Sequence, residues 1–287
     1  MAIKIVTDST SYLPGHLREE YEISVVSLGV TVNSETYREE EIENATFYNK
    51  MAKSKTIPTS SQPSPQELYD VFEKFIIAGE AVVGIFISSE MSGTFSTAKM
   101  VKKMVVKKYP EAVIKLLDSR SNCMELGFAV LAAAKAAKAG QTMEEVLAQA
   151  GYVINRSRFL FVPDTLDYLQ KGGRIGGAAA LLGSLLQIRP ILTVINGKTE
   201  LLDKCRKKDR AVKEIIKIFT QDVKQKGLGE AVIHHINNQS EAEQLACFLE
   251  DKLGFRLPIC PIGPVIGLHV GPGTIGVAYY TMQKDIC

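Results

Sequence analysis

Most of the chemistry this chain offers lies in three clusters of small polar residues, one glycine-flanked arginine and one histidine. The clusters are Asp8-Ser9-Thr10-Ser11, Ser60-Ser61-Gln62-Pro63-Ser64 and Ser88-Ser89-Glu90-Met91-Ser92-Gly93-Thr94. They are expected at strand ends, where hydroxyls and free backbone N–H groups at a helix start bind anions. The same residue types are the favoured helix caps, so a single cluster also reads as ordinary capping. Arg174 follows Gly172-Gly173, and its planar guanidinium suits a carboxylate or a phosphoryl group. Among the histidines, His16 falls in a polar helical stretch, and His234 and His235 alternate on an expected strand, facing opposite sides. His269 precedes Gly271-Pro272-Gly273, a better position for function. No His or Cys spacing points to a metal, and no Walker loop or dinucleotide fingerprint is present.

After Arg174, residues 175–188 run without a charge and are apolar on nearly every helical face. Such a helix must be buried or line an apolar cavity. It is too short to span a bilayer, which takes about 20 apolar residues. Leu181, Leu182, Leu185, Leu186 and Ile188 could wall a tunnel. An apolar helix next to an arginine turn suggests an apolar ligand with an anionic end. Residues 204–217 hold seven basic side chains, usually a solvated face, although Arg206 sits just before a helix and could meet an acidic partner.

These groups need a scaffold. Up to about residue 155, short apolar runs (3–7, 81–88, 112–117) alternate with helical patterns, predicting a parallel sheet with helices on both faces. Residues 34–52 are polar and acidic, and read as an irregular excursion. From 156 to 287 the signals mix: a hairpin at Asn196-Gly197, helices from about Lys208 and from Ser240, and final strands at 265–269 and 275–281. That pattern predicts a second, α+β domain with a mixed sheet. Capping boxes are expected at Thr142/Glu145 and Ser240/Glu243. The net charge of +2 gives no field for nucleic acid, and five cysteines without a CxxC pair fit reduced thiols in a cytoplasmic protein. The first apolar run is too short for a secretory segment. No heptad pattern appears, so a monomer without stable membrane insertion is expected.

The motifs Thr7-Asp8-Ser9-Thr10-Ser11, Ser61-Gln62-Pro63-Ser64, Ser88 to Thr94, Asp118-Ser119-Arg120, Lys171-Gly172-Gly173-Arg174-Ile175 and His269-Val270-Gly271-Pro272-Gly273 together resemble the DegV family. They follow the family's order and cover nearly the whole chain. The resemblance implies a two-domain α/β fold that binds a long-chain fatty acid, such as palmitate, between its domains. It further implies similarity to the FakB subunits of bacterial fatty acid kinase, which present the carboxylate to a separate ATP-dependent kinase subunit. The acyl phosphate then feeds phospholipid synthesis. On that reading the carboxylate-binding serine falls on Ser92, with Thr94 in the same Ser-Gly-Thr motif. The family's usual threonine before Ser-Gln-Pro is replaced by Ser60, with Thr59 one position earlier. His269 would orient the hydroxyls, and Arg174 and Arg206 would serve kinase docking or the acyl phosphate. The protein would then be a carrier with no turnover of its own, no cofactor and no metal.

Two other classes compete. A serine hydrolase would use Ser92 as nucleophile and His269 as base, with Asp8 or Asp118 as orienter. Against it, Ser92 is not in a G-x-S-x-G elbow. A nucleic-acid-associated regulator would rest on residues 204–217, but neither net charge nor motif favours it.

Overall fold

The computed structural model of the chain describes residues 1–181 and 188–283. β1 (Ile3–Asp8) and, after α1 (Gly15–Glu20), β2 (Ser24–Val26) pair in parallel. The chain then leaves this sheet. β3 (Gly29–Val32), β4 (Glu35–Arg38), α2 (Asn44–Lys53) and β5 (Thr59–Ser61) form a separate antiparallel unit, with strand order β4-β3-β5. Residues 34–52 are thus ordered, contrary to the irregular excursion expected. Their polarity belongs to the solvated edge strand β4, while α2 buries Phe47, Tyr48 and Met51.

α3 (Pro65–Ile77) starts where Ser64 accepts the Gln66 N–H and Pro65 presets the first turn. β6 (Ala81–Phe86), α4 (Thr94–Lys108) and β7 (Ile114–Asp118) complete a four-stranded parallel sheet of order β2-β1-β6-β7. Every residue of β6 is buried, as its unbroken apolar run requires of a strand covered on both faces. α5 (Cys123–Lys138) and α6 (Met143–Ile154) follow, the latter with the Thr142/Glu145 capping box formed.

In the second half come β8 (Ser157–Val162), α7 (Asp167–Lys171), a 3₁₀ run at Gly176–Leu181, β9 (Arg189–Ile195) and β10 (Lys198–Cys205). They are followed by α8 (Lys208–Lys226), β11 (Leu228–His235), α9 (Gln239–Leu253), β12 (Ile259–Pro261), α10 (Pro264–Val270) and β13 (Ile275–Thr281). The six-stranded sheet runs β10-β9-β8-β13-β11-β12, antiparallel except for β11 with β12. The Asn196-Gly197 hairpin joins β9 to β10 as expected.

Three expectations are corrected here. Residues 265–269 are helix, not strand: a short apolar run carries both signals, and Pro264 in the first turn favours the helix. α9 begins at Gln239 behind Asn238, whose side chain turns to Glu241 and the Gly273 carbonyl, so Ser240 is not the cap. The apolar stretch is 3₁₀ over its described part, and Leu182, Leu185 and Leu186 lie outside the described residues.

Three apolar cores alternate with the sheets. α3 and α4 cover one face of the parallel sheet through Val6, Phe72, Phe86 and Val101. α8 and α9 cover the outer face of the mixed sheet through Ile215, Phe219, Leu245 and Tyr279. Between the sheets lies α5, with 12 of its 16 residues buried, sharing one core with Ile5 and Val83 on one side and Phe159 and Val232 on the other. A helix buried on both sides can be apolar all round, which explains its alanine-rich, stripe-free sequence.

Candidate functional site

The loop after β6 is held in place from three directions. Asp8, at the end of β1, accepts the Ile87 N–H at 2.7 Å and the Thr10 N–H at 3.0 Å. Asp118, at the end of β7, accepts the Ser89 N–H and hydroxyl. From the other sheet, the β9–β10 hairpin docks its Gly197 carbonyl on the Ser88 hydroxyl at 2.8 Å and its Asn196 carbonyl on Arg120. Glu90 pairs with both Arg120 and Lys198. Parallel strands present such loops at their carboxyl ends, where open α/β sheets bind ligands.

On this loop, Ser92 is half-buried, with its Oγ 2.9 Å from the buried Thr94 Oγ1, and it accepts the Thr94 N–H at the start of α4. Facing it are residues from two other places. Ser60 comes from β5, where it pairs opposite Val30 of β3. His269 comes from the last turn of α10, its Nε2 2.9 Å from Ser60 Oγ. Ser60 therefore reaches the site from the small antiparallel sheet, whereas the other two clusters follow strands of the parallel sheet. Strand alternation turns Thr59 the other way, and it is exposed.

His269 is neutral near physiological pH. Burial, and secondarily the Arg174 charge, push its pKa down to about 4. Its Nδ1 is buried without a hydrogen-bond partner among the described residues, pressed against Gly172 at the end of α7. A Cβ at position 172 would lie 2.4 Å from Nδ1, so only glycine fits. Arg174 then crosses between the halves, donating from Nε to the Met91 carbonyl at 3.1 Å and from Nη1 to the Gly172 carbonyl at 2.6 Å.

Ser60, Ser92, Arg174 and His269 line one cavity of about 210 Å³. Thr199 from the hairpin and Asn122, which precedes α5, add polar groups, and Leu28, Ile87, Leu169, Val265, Ile266 and Val270 supply an apolar wall. This wall was not foreseen. Leu181 is buried elsewhere, and neither it nor Ile188 lines the cavity. Asn122 was also missed, although a polar residue before an apolar helix was the available signal. Arg206 is exposed between β10 and α8, outside the cavity.

The cavity thus combines the hydroxyl residues Ser60, Ser61, Ser92 and Thr199, a neutral imidazole, a guanidinium and an apolar wall, a set suited to a carboxylate with an alkyl tail. It does not assemble a Ser-His-Asp relay. His269 pairs with Ser60 rather than Ser92, and the Asp8 and Asp118 bonds run to the loops described above. Among the described residues, no group of His, Cys, Asp or Glu could hold a metal ion, and no helix is long and apolar enough to cross a membrane.

Known proteins match this chain over nearly their whole length. DegV domain-containing protein CA_C3284 of Clostridium acetobutylicum is 51% identical over 284 residues, covering 99% of both chains. A DegV family protein from Thermus thermophilus, described as fatty acid binding, superposes with a TM-score of 0.89 at 31% identity, over 98% of this chain and 100% of its own. Bacillus subtilis DegV, described as a fatty acid binding protein, gives 0.88 at 34% identity, over 98% and 99%. A family model described as uncharacterised protein, DegV family, matches residues 2–282. With that span, and relatives matched from end to end, the chain belongs to the DegV family.

Proposed function

We propose that this protein binds a long-chain fatty acid, with the carboxylate at Ser60, Ser92 and His269 and the alkyl chain along the apolar wall. The observation that carries this reading is the Ser60–His269 pair in a cavity that sets a polar end with Ser92 beside a wall of Leu28, Ile87, Leu169, Val265, Ile266 and Val270. With its proton on Nε2, the neutral imidazole donates to Ser60 Oγ and leaves the serine proton free for the ligand. Thr94 can do the same for Ser92. The Ser60 and Ser92 hydroxyls then compensate a carboxylate that would be costly to bury alone. Each buried CH₂ of the chain adds roughly 0.8 kcal/mol. Fatty acid binding by the Thermus thermophilus and Bacillus subtilis relatives supports the reading.

In the same proposal the protein is a carrier, built as two domains divided near residue 155. It presents the carboxylate to an ATP-dependent fatty acid kinase, and Arg174 and the exposed Arg206 face that partner or the acyl phosphate. Mass spectrometry of the purified, denatured protein is the direct test. A released C14–C18 acid, and its replacement by added palmitate, is the expected result. A protein that carries no lipid and does not bind palmitate would overturn the reading.

A further inference from the structure

We infer that Glu39, a residue outside the cavity, is the positioning residue that aims His269 at Ser60. Glu39 lies in the 3₁₀ turn between β4 and α2 and is 5% exposed. Its Oε1 accepts the Val265 N–H at 2.8 Å and the Tyr12 hydroxyl at 2.9 Å, and its Oε2 accepts the Ser9 hydroxyl. Tyr12 Oη in turn accepts the Ile266 N–H at 3.2 Å. Pro264 has no N–H, and Gly263 has no side chain to cap with. The first amides of α10 are therefore satisfied by a carboxylate 226 residues away in sequence, directly and through one phenol.

A seven-residue helix has little stability of its own, so its direction is set by whatever holds its ends. The α2 segment adds a second hold. Tyr48 donates to the Ile262 and Gly263 carbonyls at 3.0 and 3.1 Å, and its hydroxyl occupies the space a Cβ on Gly267 would need. His269 lies one turn beyond Val265. A small tilt at the helix start therefore moves the imbedded ring relative to Ser60, which is fixed separately by β5. The antiparallel unit thus supplies one member of the pair and clamps the helix that carries the other.

The inference rests on the fatty acid reading only for its binding readout, so two measurements are needed. In the ligand-free protein, the ¹⁵N resonances of the His269 ring, assigned with His269→Gln, should shift in Glu39→Ala and keep their native positions in Glu39→Gln. The glutamine keeps a carbonyl for Val265 and Tyr12 and an NH₂ for the Ser9 oxygen. Unmoved His269 resonances in folded Glu39→Ala would overturn the inference, whatever the protein binds. The second measurement compares dodecanoic acid with its methyl ester. Glu39→Ala should lose acid affinity by about tenfold, the equivalent of 1.4 kcal/mol, while ester affinity stays unchanged and Glu39→Gln restores the acid. Equal losses for acid and ester would show a merely structural role and overturn the inference. A native protein that binds neither would instead count against the fatty acid reading. If Glu39→Ala fails to fold, Tyr12→Phe, which deletes only a hydroxyl, should shift the His269 resonances in the same direction. Native resonances there would overturn the inference.

Discussion

At the scale of single residues, the site is a set of hydroxyls whose protons are steered by neighbours. Ser92→Ala should weaken palmitate binding by about 1.5–3 kcal/mol, the range for a hydrogen bond to a charged group. Isothermal titration would measure it, and unchanged affinity in the folded variant would remove Ser92 from the site. Buried titratable groups make a separate prediction about stability. Burial raises Asp8 to about 6, Glu39 to about 7 and Glu125 to about 8, so the native state holds protons the unfolded chain has lost. Their contribution is complete below about pH 4 and is lost as pH rises through those values. His234 and His269, lowered to about 4 by burial, act oppositely: their contribution is present above about 6.5 and lost as pH falls toward 4. Between pH 6.5 and 8.5 the Glu39 and Glu125 losses are the main ones still to be completed, the buried Cys123 and Cys260 thiols, also raised by burial, adding theirs at higher pH. The melting temperature should therefore fall between pH 6.5 and 8.5, and Glu125→Gln should remove much of that slope. A flat profile in the native protein would contradict the assignment.

At the scale of elements, what was legible in the sequence is what local chemistry decides. β1 and β6 are apolar runs, Asn196-Gly197 closes its hairpin, and Thr142 with Glu145 caps α6 within four residues. Ser60, Ser92, Arg174 and His269 could be named from their motifs, and the structure gathers them around one cavity. The helical state of α10 and the order of α2 could not be read, because their partners are distant. Val265 is capped by Glu39, and Tyr48 is buried against Ile262 and Gly263. The wall residues Leu28, Ile87 and Val265 also come from elements far apart in sequence. The contact between α7 and α10 gives an element-scale prediction. Gly172→Ala would place a methyl against His269 Nδ1 and the Tyr168 carbonyl, displacing the ring from Ser60. Fatty acid affinity should drop by about tenfold or more, with a smaller change in melting temperature, because the clash lies at the cavity edge. Native affinity in a folded Gly172→Ala protein would show that the ring position is unimportant for binding.

At the scale of the whole molecule, carrier and simple lipid sink differ in their arginines. If Arg174 and Arg206 serve a kinase, replacing either with Ala should leave fatty acid affinity nearly intact. Acyl-phosphate formation with the partner kinase and ATP should nonetheless fall, because a guanidinium fork suits phosphoryl groups. Normal turnover with both variants would make the two residues structural or solvated. Lost lipid binding with Arg174→Ala would place that arginine at the carboxylate itself, as its bonds to the Met91 and Gly172 carbonyls beside the cavity allow.

The position of α5 between the two sheets has a consequence for how the molecule comes apart. Its buried side chains belong to one core that draws on both halves of the chain, so neither half can melt without stripping cover from the other. Calorimetry should record one cooperative transition, with equal van't Hoff and calorimetric enthalpies, rather than two domain melts. Residues 1–155 expressed alone would leave one side of this helix bare, and should aggregate or remain loosely packed. Two resolved transitions, or a stable isolated half, would mean that the shared helix does not couple them.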